Sequence, residues 1–73
     1  MAQEIVEFPI VGRIISVNVS EGSVVKEGDT LCILESMKME NPILAPVGGT
    51  ITKFIVSQGQ TVVAGDLVAI IEY

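Results

Sequence analysis

Alternation of apolar and polar positions dominates the chain and predicts short strands separated by glycine-bearing turns. Glu4 to Phe8 reads as a first strand, closed by Pro9, which has no amide to give to a ladder. From Gly12 the run Arg13-Ile14-Ile15-Ser16-Val17-Asn18-Val19-Ser20 sets apolar 15, 17 and 19 against polar 16, 18 and 20, the period of two of a half-buried strand. Glu21-Gly22 is a turn, Ser23 to Val25 a brief extended piece, and Lys26-Glu27-Gly28-Asp29 a second turn. Thr30 to Glu35 follows as a strand whose unbroken run Leu31-Cys32-Ile33-Leu34 predicts burial on both faces. Met39 to Leu44 returns antiparallel to it, with Asn41-Pro42 implying an edge position or an irregularity. After Ala45-Pro46-Val47-Gly48 the pattern repeats. A strand from Gly49 to Ser57, a turn at Gln58-Gly59, a short piece Gln60 to Val63, a turn Ala64-Gly65-Asp66 and a last strand Leu67 to Tyr73 complete the chain. No stretch keeps helical spacing.

The repetition is literal. Residues 9–35 laid over 46–72, a constant shift of 37, give 11 identities in 27 positions, among them Pro9 with Pro46, Gly12 with Gly49, Gly28-Asp29 with Gly65-Asp66 and Glu35 with Glu72. Composition alone would give roughly two. Each copy is too small to bury its own apolar face, so the two are expected to pack face to face around a pseudo-twofold axis. The expected fold is all-β, one domain over residues 1–73, a flattened barrel or sandwich with the 36–39 connection projecting at one end and both termini at the other.

Composition narrows the function. A chain of 73 residues buries only about 60% of the surface its unfolded form exposes, so the core must be efficient. The residues are 49% hydrophobic, mostly Val and Ile, with no Trp, which suits pleated strands. The single Cys32 can form no intrachain disulfide and aligns with Ala69, so it is expected to be a small core residue in a reducing, cytoplasmic setting. Four basic residues against nine acidic ones leave a net charge of −5, the wrong sign for a nucleic-acid partner. No uncharged run reaches the roughly 20 residues of a spanning helix, and the start is unlike a signal peptide, so a soluble chain without membrane contact is expected.

Lys38 stands at the one position the repeat does not duplicate. With Met37 it forms a two-residue turn between strands, a backbone with positive φ that Asn-Gly or Gly-Gly normally supplies. Poor turn chemistry at the most exposed point of a fold has a functional direction of inference. A structural turn would also be polar, yet Met37 and Met39 are apolar and adaptable residues beside the charge. A solvated tip lysine is the bland alternative, and the Met-Lys-Met triplet at the repeat junction argues against it.

Glu35-Ser36-Met37-Lys38-Met39-Glu40-Asn41 resembles the biotin-attachment motif of the biotinyl domains, the biotin carboxyl carrier proteins or subunits. The resemblance covers nearly the whole chain, with Gly28-Asp29 before the lysine and Ala45-Pro46 and Gly49 after it; Ser36 stands where most members have Ala. It implies a flattened, capped barrel-sandwich of two four-stranded antiparallel sheets, here of the type without the protruding thumb, because Gly12 to Glu35 has no room for one. It further implies biotin as covalent cofactor, amide-linked to Lys38, with Met37 and Met39 recognised by a biotin protein ligase. Glu35 is a third candidate for ligase recognition, although Glu72 repeats it where there is no lysine. The implied role is that of a non-catalytic carrier, whose arm takes carboxyl groups from a biotin carboxylase to a carboxyltransferase. An ordinary lysine, with pKa near 10.4, is neutral in only about one molecule in a thousand at pH 7.4, so the ligase must supply base and desolvation.

Three rivals share some of these features. A lipoyl carrier domain has the same duplicated plan but usually Asp before and Ala after the lysine, where this chain has Met37 and Met39. An adaptor module of membrane-fusion type would carry a long helical insertion at the hairpin. A Schiff-base enzyme would hold its lysine desolvated in a pocket. The parent carboxylase or decarboxylase, and whether the chain is a free carrier or part of a longer protein, stay open.

Overall fold

The computed structural model describes all 73 residues and contains eight strands and no helix. The strands are β1 (Gln3–Glu7), β2 (Gly12–Val17), β3 (Val24–Val25), β4 (Thr30–Ser36), β5 (Met39–Leu44), β6 (Gly49–Phe54), β7 (Thr61–Val62) and β8 (Leu67–Glu72). They form two antiparallel four-stranded sheets, ordered β1-β8-β6-β3 and β5-β4-β2-β7. The expected all-β barrel-sandwich is therefore the observed architecture.

Each sheet draws two strands from each half of the chain, so the two copies interleave and are not separate layers. Adding four to each strand number of the first sheet yields the second, which is the pseudo-twofold axis written as topology. Hydrogen bonds obey the same shift. Gly28 N–H donates to Ala45 O and Gly65 N–H to Phe8 O, while Gly22 N–H donates to Ile51 O and Gly59 N–H to Ile14 O, all at 2.7–2.9 Å. These bonds carry each ladder past its strand ends into the turns that cross between the sheets, and so close the ends of the barrel.

Four turns do this work, and their chemistry is uniform. Gly22, Gly28, Gly59 and Gly65 lie at φ of 87–92°, where a side chain is strained. The fourth residue of each turn braces it: Asp29 accepts from Lys26 N–H at 2.8 Å and Asp66 from Val63 N–H at 3.0 Å, with Ser23 and Gln60 in the same role on Ser20 and Ser57.

Fifteen apolar residues form one core with no buried polar side chain. The β2 alternation inferred from sequence is corrected here. A bulge between Ile14 and Ser16 inserts Ile15 as an extra residue, so Ile14 is fully buried, Ile15 half-buried and Val17 largely outward; the strand ends at Val17. The equivalent bulge between Ile51 and Lys53 ends β6 at Phe54, short of Ser57. In β4, Leu31, Cys32 and Leu34 are wholly buried, two neighbours facing inward because the register to β5 slips between Thr30 and Cys32. Pro42 lies in β5, which is an edge strand.

Two tests follow from this packing. A Cβ on Gly49 would overlap the carbonyl oxygen of Glu72 and lie 2.9 Å from Ile71 Cγ2, so Gly49→Ala is expected to lose about 1–3 kcal/mol in urea unfolding. Burial pushes the Cys32 thiol from its ordinary 9.0 up to about 11. The unfolded chain therefore ionises first, and the stability the protonated thiol contributes is full below pH 9 and lost as pH rises through 11. Cys32→Ala, which installs the residue found at 69, is expected to flatten that alkaline fall, read as unfolding free energy between pH 8 and pH 11.

Candidate functional site

The longest paired element is the β4–β5 hairpin, which runs from Thr30 opposite Leu44 to Ser36 opposite Met39 and is in register from Cys32 onward. Its ladder leaves two residues to reverse the chain. Met37 and Lys38 take φ of 53° and 64°, the only non-glycine residues with positive φ in the protein, and consecutive left-handed residues make the tight turn whose twist matches the flanking strands. Each left-handed L-residue costs roughly 1–2 kcal/mol relative to the right-handed form. The hairpin sustains this because Ser36 and Met39 close the ladder on either side and the Asn41 side-chain amide donates to Met39 O at 3.2 Å.

Lys38 is exposed, as are Met37 and Met39 on either side. The equivalent of Ser36 opposite Met39 under the repeat is Tyr73 opposite Ala2, whose N–H groups and carbonyls exchange bonds at 2.8 and 2.9 Å. The pseudo-twofold thus places the two chain ends where a second tip would be. Glu72 pairs with Thr50, beside the Ala45–Gly48 segment at the base of β5, and the six residues of β5 put about 20 Å between that base and the tip. The amine is held away from both termini.

Glu35 is exposed on β4, opposite Glu40 on one side and Arg13 on the other. Like charges directly opposite destabilise a strand pair, and Gln3 takes the place of Glu40 in the symmetric pair with Glu72. Arg13 was not legible as a neighbour of Glu35, since cross-strand register depends on the bulge at Ile15. Gly12 is what lets β2 come this close: a Cβ there would lie 2.5 Å from Glu35 O. An open depression of about 550 Å³, lined by Arg13, Ile14, Ile15, Gln58 and Gly59, lies on β2 and away from Lys38. The lysine is displayed on a protrusion, which disfavours an enzyme that desolvates it for Schiff-base chemistry. No three His, Cys, Asp or Glu side chains are grouped so as to hold a metal.

The family model described as "Biotin-requiring enzyme", which spans biotin and lipoyl carriers, matches residues 4–71. The chain belongs to this biotin-requiring family. Among curated relatives, the γ subunit of methylmalonyl-CoA decarboxylase from Veillonella parvula is 58% identical over 43 residues, covering 59% of this chain and 33% of that one. A homologue of the biotinylated protein TB7.3 from Mycolicibacterium smegmatis is 53% identical over 45 residues, 62% of each chain. The chain thus spans from a third to less than two thirds of these two relatives' lengths. Among solved structures, urea carboxylase from Kluyveromyces lactis superposes with a TM-score of 0.88 at 33% identity over 99% of this chain and 6% of that one. With relatives of this kind, and with Met37 and Met39 around the lysine, the family's biotin branch is favoured over its lipoyl branch; covalently attached biotin is the cofactor and carrying it is the role.

The residues present suit that cofactor. An amine in solvent, flanked by exposed apolar side chains on a turn with fixed backbone, can be acylated without disturbing the core. If the turn is strained for the sake of its lysine, Met37→Asn with Lys38→Gly is expected to raise unfolding stability by about 1–3 kcal/mol in urea titration while removing the amine.

Proposed function

We propose that Lys38 is the biotin-attachment residue, and that the chain is the non-catalytic carboxyl carrier of a biotin-dependent carboxylase or decarboxylase. The observation that carries this reading is the left-handed Met37–Lys38 turn, which presents one solvated amine at the end of the fold opposite both chain ends. Loading is an acyl transfer. A biotin protein ligase removes one proton from the ammonium; the Nζ lone pair attacks the carbonyl of the adenylate-activated biotin, the nitrogen gives up a second proton as AMP leaves, and a C–N amide replaces the acyl–phosphate bond. Met37 and Met39 give the ligase an apolar grip on either side of the lysine, and Glu35, flanked by Arg13 and Glu40, contributes charge at the base of the same hairpin.

Once attached, biotin supplies a ring nitrogen that takes up a carboxyl group at a biotin carboxylase and yields it at a carboxyltransferase. What the chain supplies is reach and restraint. The rigid hairpin fixes one end of a flexible arm, and tethering makes the second encounter effectively intramolecular. The relatives' names include decarboxylase and carboxylase subunits, which supports a parent enzyme of that class without selecting the acceptor. A cytoplasmic location suits the unpaired thiol of Cys32.

Lys38→Arg is expected to abolish streptavidin labelling after co-expression with a biotin protein ligase while leaving the thermal midpoint nearly unchanged, because the side chain makes no packing contribution at the exposed tip. Labelling that persists in this variant would place the modification on Lys26 or Lys53.

A further inference from the structure

The pseudo-twofold axis supplies an internal control: each surface feature of the lysine end can be compared with its copy at the terminal end. At the lysine end the cap is built from Pro9-Ile10-Val11 and the turn Val63-Ala64-Gly65-Asp66, joined by the bond from Gly65 N–H to Phe8 O. Its copy is Pro46-Val47-Gly48 with Lys26-Glu27-Gly28-Asp29, joined by Gly28 N–H to Ala45 O. The backbones correspond while the side chains diverge. Val11 replaces Gly48, Val63 replaces Lys26, Ala64 replaces Glu27 and Met39 replaces Ala2, all toward apolar, while Glu7 for Leu44, Ser36 for Tyr73 and Thr61 for Val24 run the other way, so the apolar gain is confined to the cap and the hairpin tip.

These residues are not burying themselves. Met37 is 92% exposed, Met39 66%, Val11 57%, Val63 53% and Ile10 40%. They are also contiguous. Gly12 is paired with Val62 and Arg13 with Glu35, so continuing the β2–β7 ladder by one residue and the β2–β4 ladder by two sets Val11 between Val63 and Met37. Glu35 and Glu40, one row below, with Arg13 beside Glu35, give the patch a charged border that is net acidic.

We infer that Ile10, Val11 and Val63 extend the Met37–Met39 surface into a single docking face for the biotin protein ligase, whose matching surface is apolar with a basic rim. The inference rests on the carrier reading above and adds residues far from the motif in sequence. A water-excluding cap around the lysine has a chemical use. Nothing in this chain desolvates the amine, and acyl transfer to a neutral amine requires a site closed to water, so a seal around the tip must form in the complex. Patch size points the same way: a few side chains cover on the order of a few hundred Å², short of the roughly 800 Å² per partner buried in a stable interface, as befits an enzyme that must release its product.

The test transplants the terminal end onto the lysine end. Val11→Gly with Val63→Lys puts the residues of positions 48 and 26 onto a backbone that already holds them elsewhere in the fold; Lys26→Val at the far end is the control. With purified bacterial biotin protein ligase, biotin and ATP, the double variant is expected to raise KM for the unmodified chain about tenfold with kcat changed less than about twofold, and the control to leave KM unchanged. An unchanged KM in the folded double variant, or a loss in kcat alone, overturns the docking face. Should the double variant unfold, Val63→Thr, of the same shape, replaces it, with KM raised about threefold as the supporting result and KM unaltered as the refuting one. A wild-type dimer in sedimentation that the variant dissolves, with KM unmoved, also overturns it and assigns the patch to a second copy of the chain. Intact mass of the wild type separates the two levels: no biotin added to the wild-type chain refutes the carrier reading itself, whereas a modified wild type with unaltered variant kinetics refutes only the docking face.

Discussion

Neither half of this chain can cover its own apolar face, and the structure is the consequence of that shortage. Four strands of two to seven residues per half, with no disulfide, would leave either copy's sheet open along one side. Interleaving removes the problem: each sheet takes two strands from each half, and the fifteen core residues come from both. The exchange requires the chain to cross between sheets six times, and the four glycine turns at φ near 90° supply four of those crossings. Because the halves are related by a twofold, every feature of one end has a counterpart at the other, with a single exception. Where the β4–β5 hairpin closes one end, the counterpart strands β8 and β1 are left as the chain's two termini.

That exception is the origin of the functional geometry. A hairpin at a unique position, with both ends of the chain on the far side, can enter an enzyme's site while the remainder of any larger assembly stays behind it. The ladder from Thr30 to Ser36 holds the tip stiffly, and the left-handed Met37–Lys38 backbone is strain that the ladder over-determines. Asn-Gly would relieve it. Retaining Met-Lys there gives up stability for a side chain that the fold itself has no use for, and the like-charge pair of Glu35 and Glu40 immediately below is a second local sacrifice of the same kind.

Much of this was legible in the sequence because the determinants are local. The repeat spacing of 37 marked the twofold, Gly-Asp pairs marked the crossings, Pro42 marked an edge strand, and the poor turn chemistry of Met37-Lys38 marked a backbone that proved left-handed at both residues. What escaped was non-local. The bulges at Ile15 and Thr52 reset the inward face halfway along β2 and β6, which no alternation pattern in a single strand declares. Strand exchange between the halves is likewise invisible in a repeat, which fixes equivalence and not pairing. The placement of Arg13 beside Glu35, and of Val11 and Val63 alongside the hairpin, depends on both.

The central claim is that this scaffold exists to display Lys38 for covalent loading with biotin. Peptide mapping by tandem mass spectrometry, on the chain expressed together with a biotin protein ligase and a lipoate ligase, tests it most directly. The account predicts one biotinyl amide, on the peptide containing Met37-Lys38-Met39, with Lys26 and Lys53 unmodified. A biotinyl group on either of those lysines, or a lipoyl group on Lys38, would contradict it.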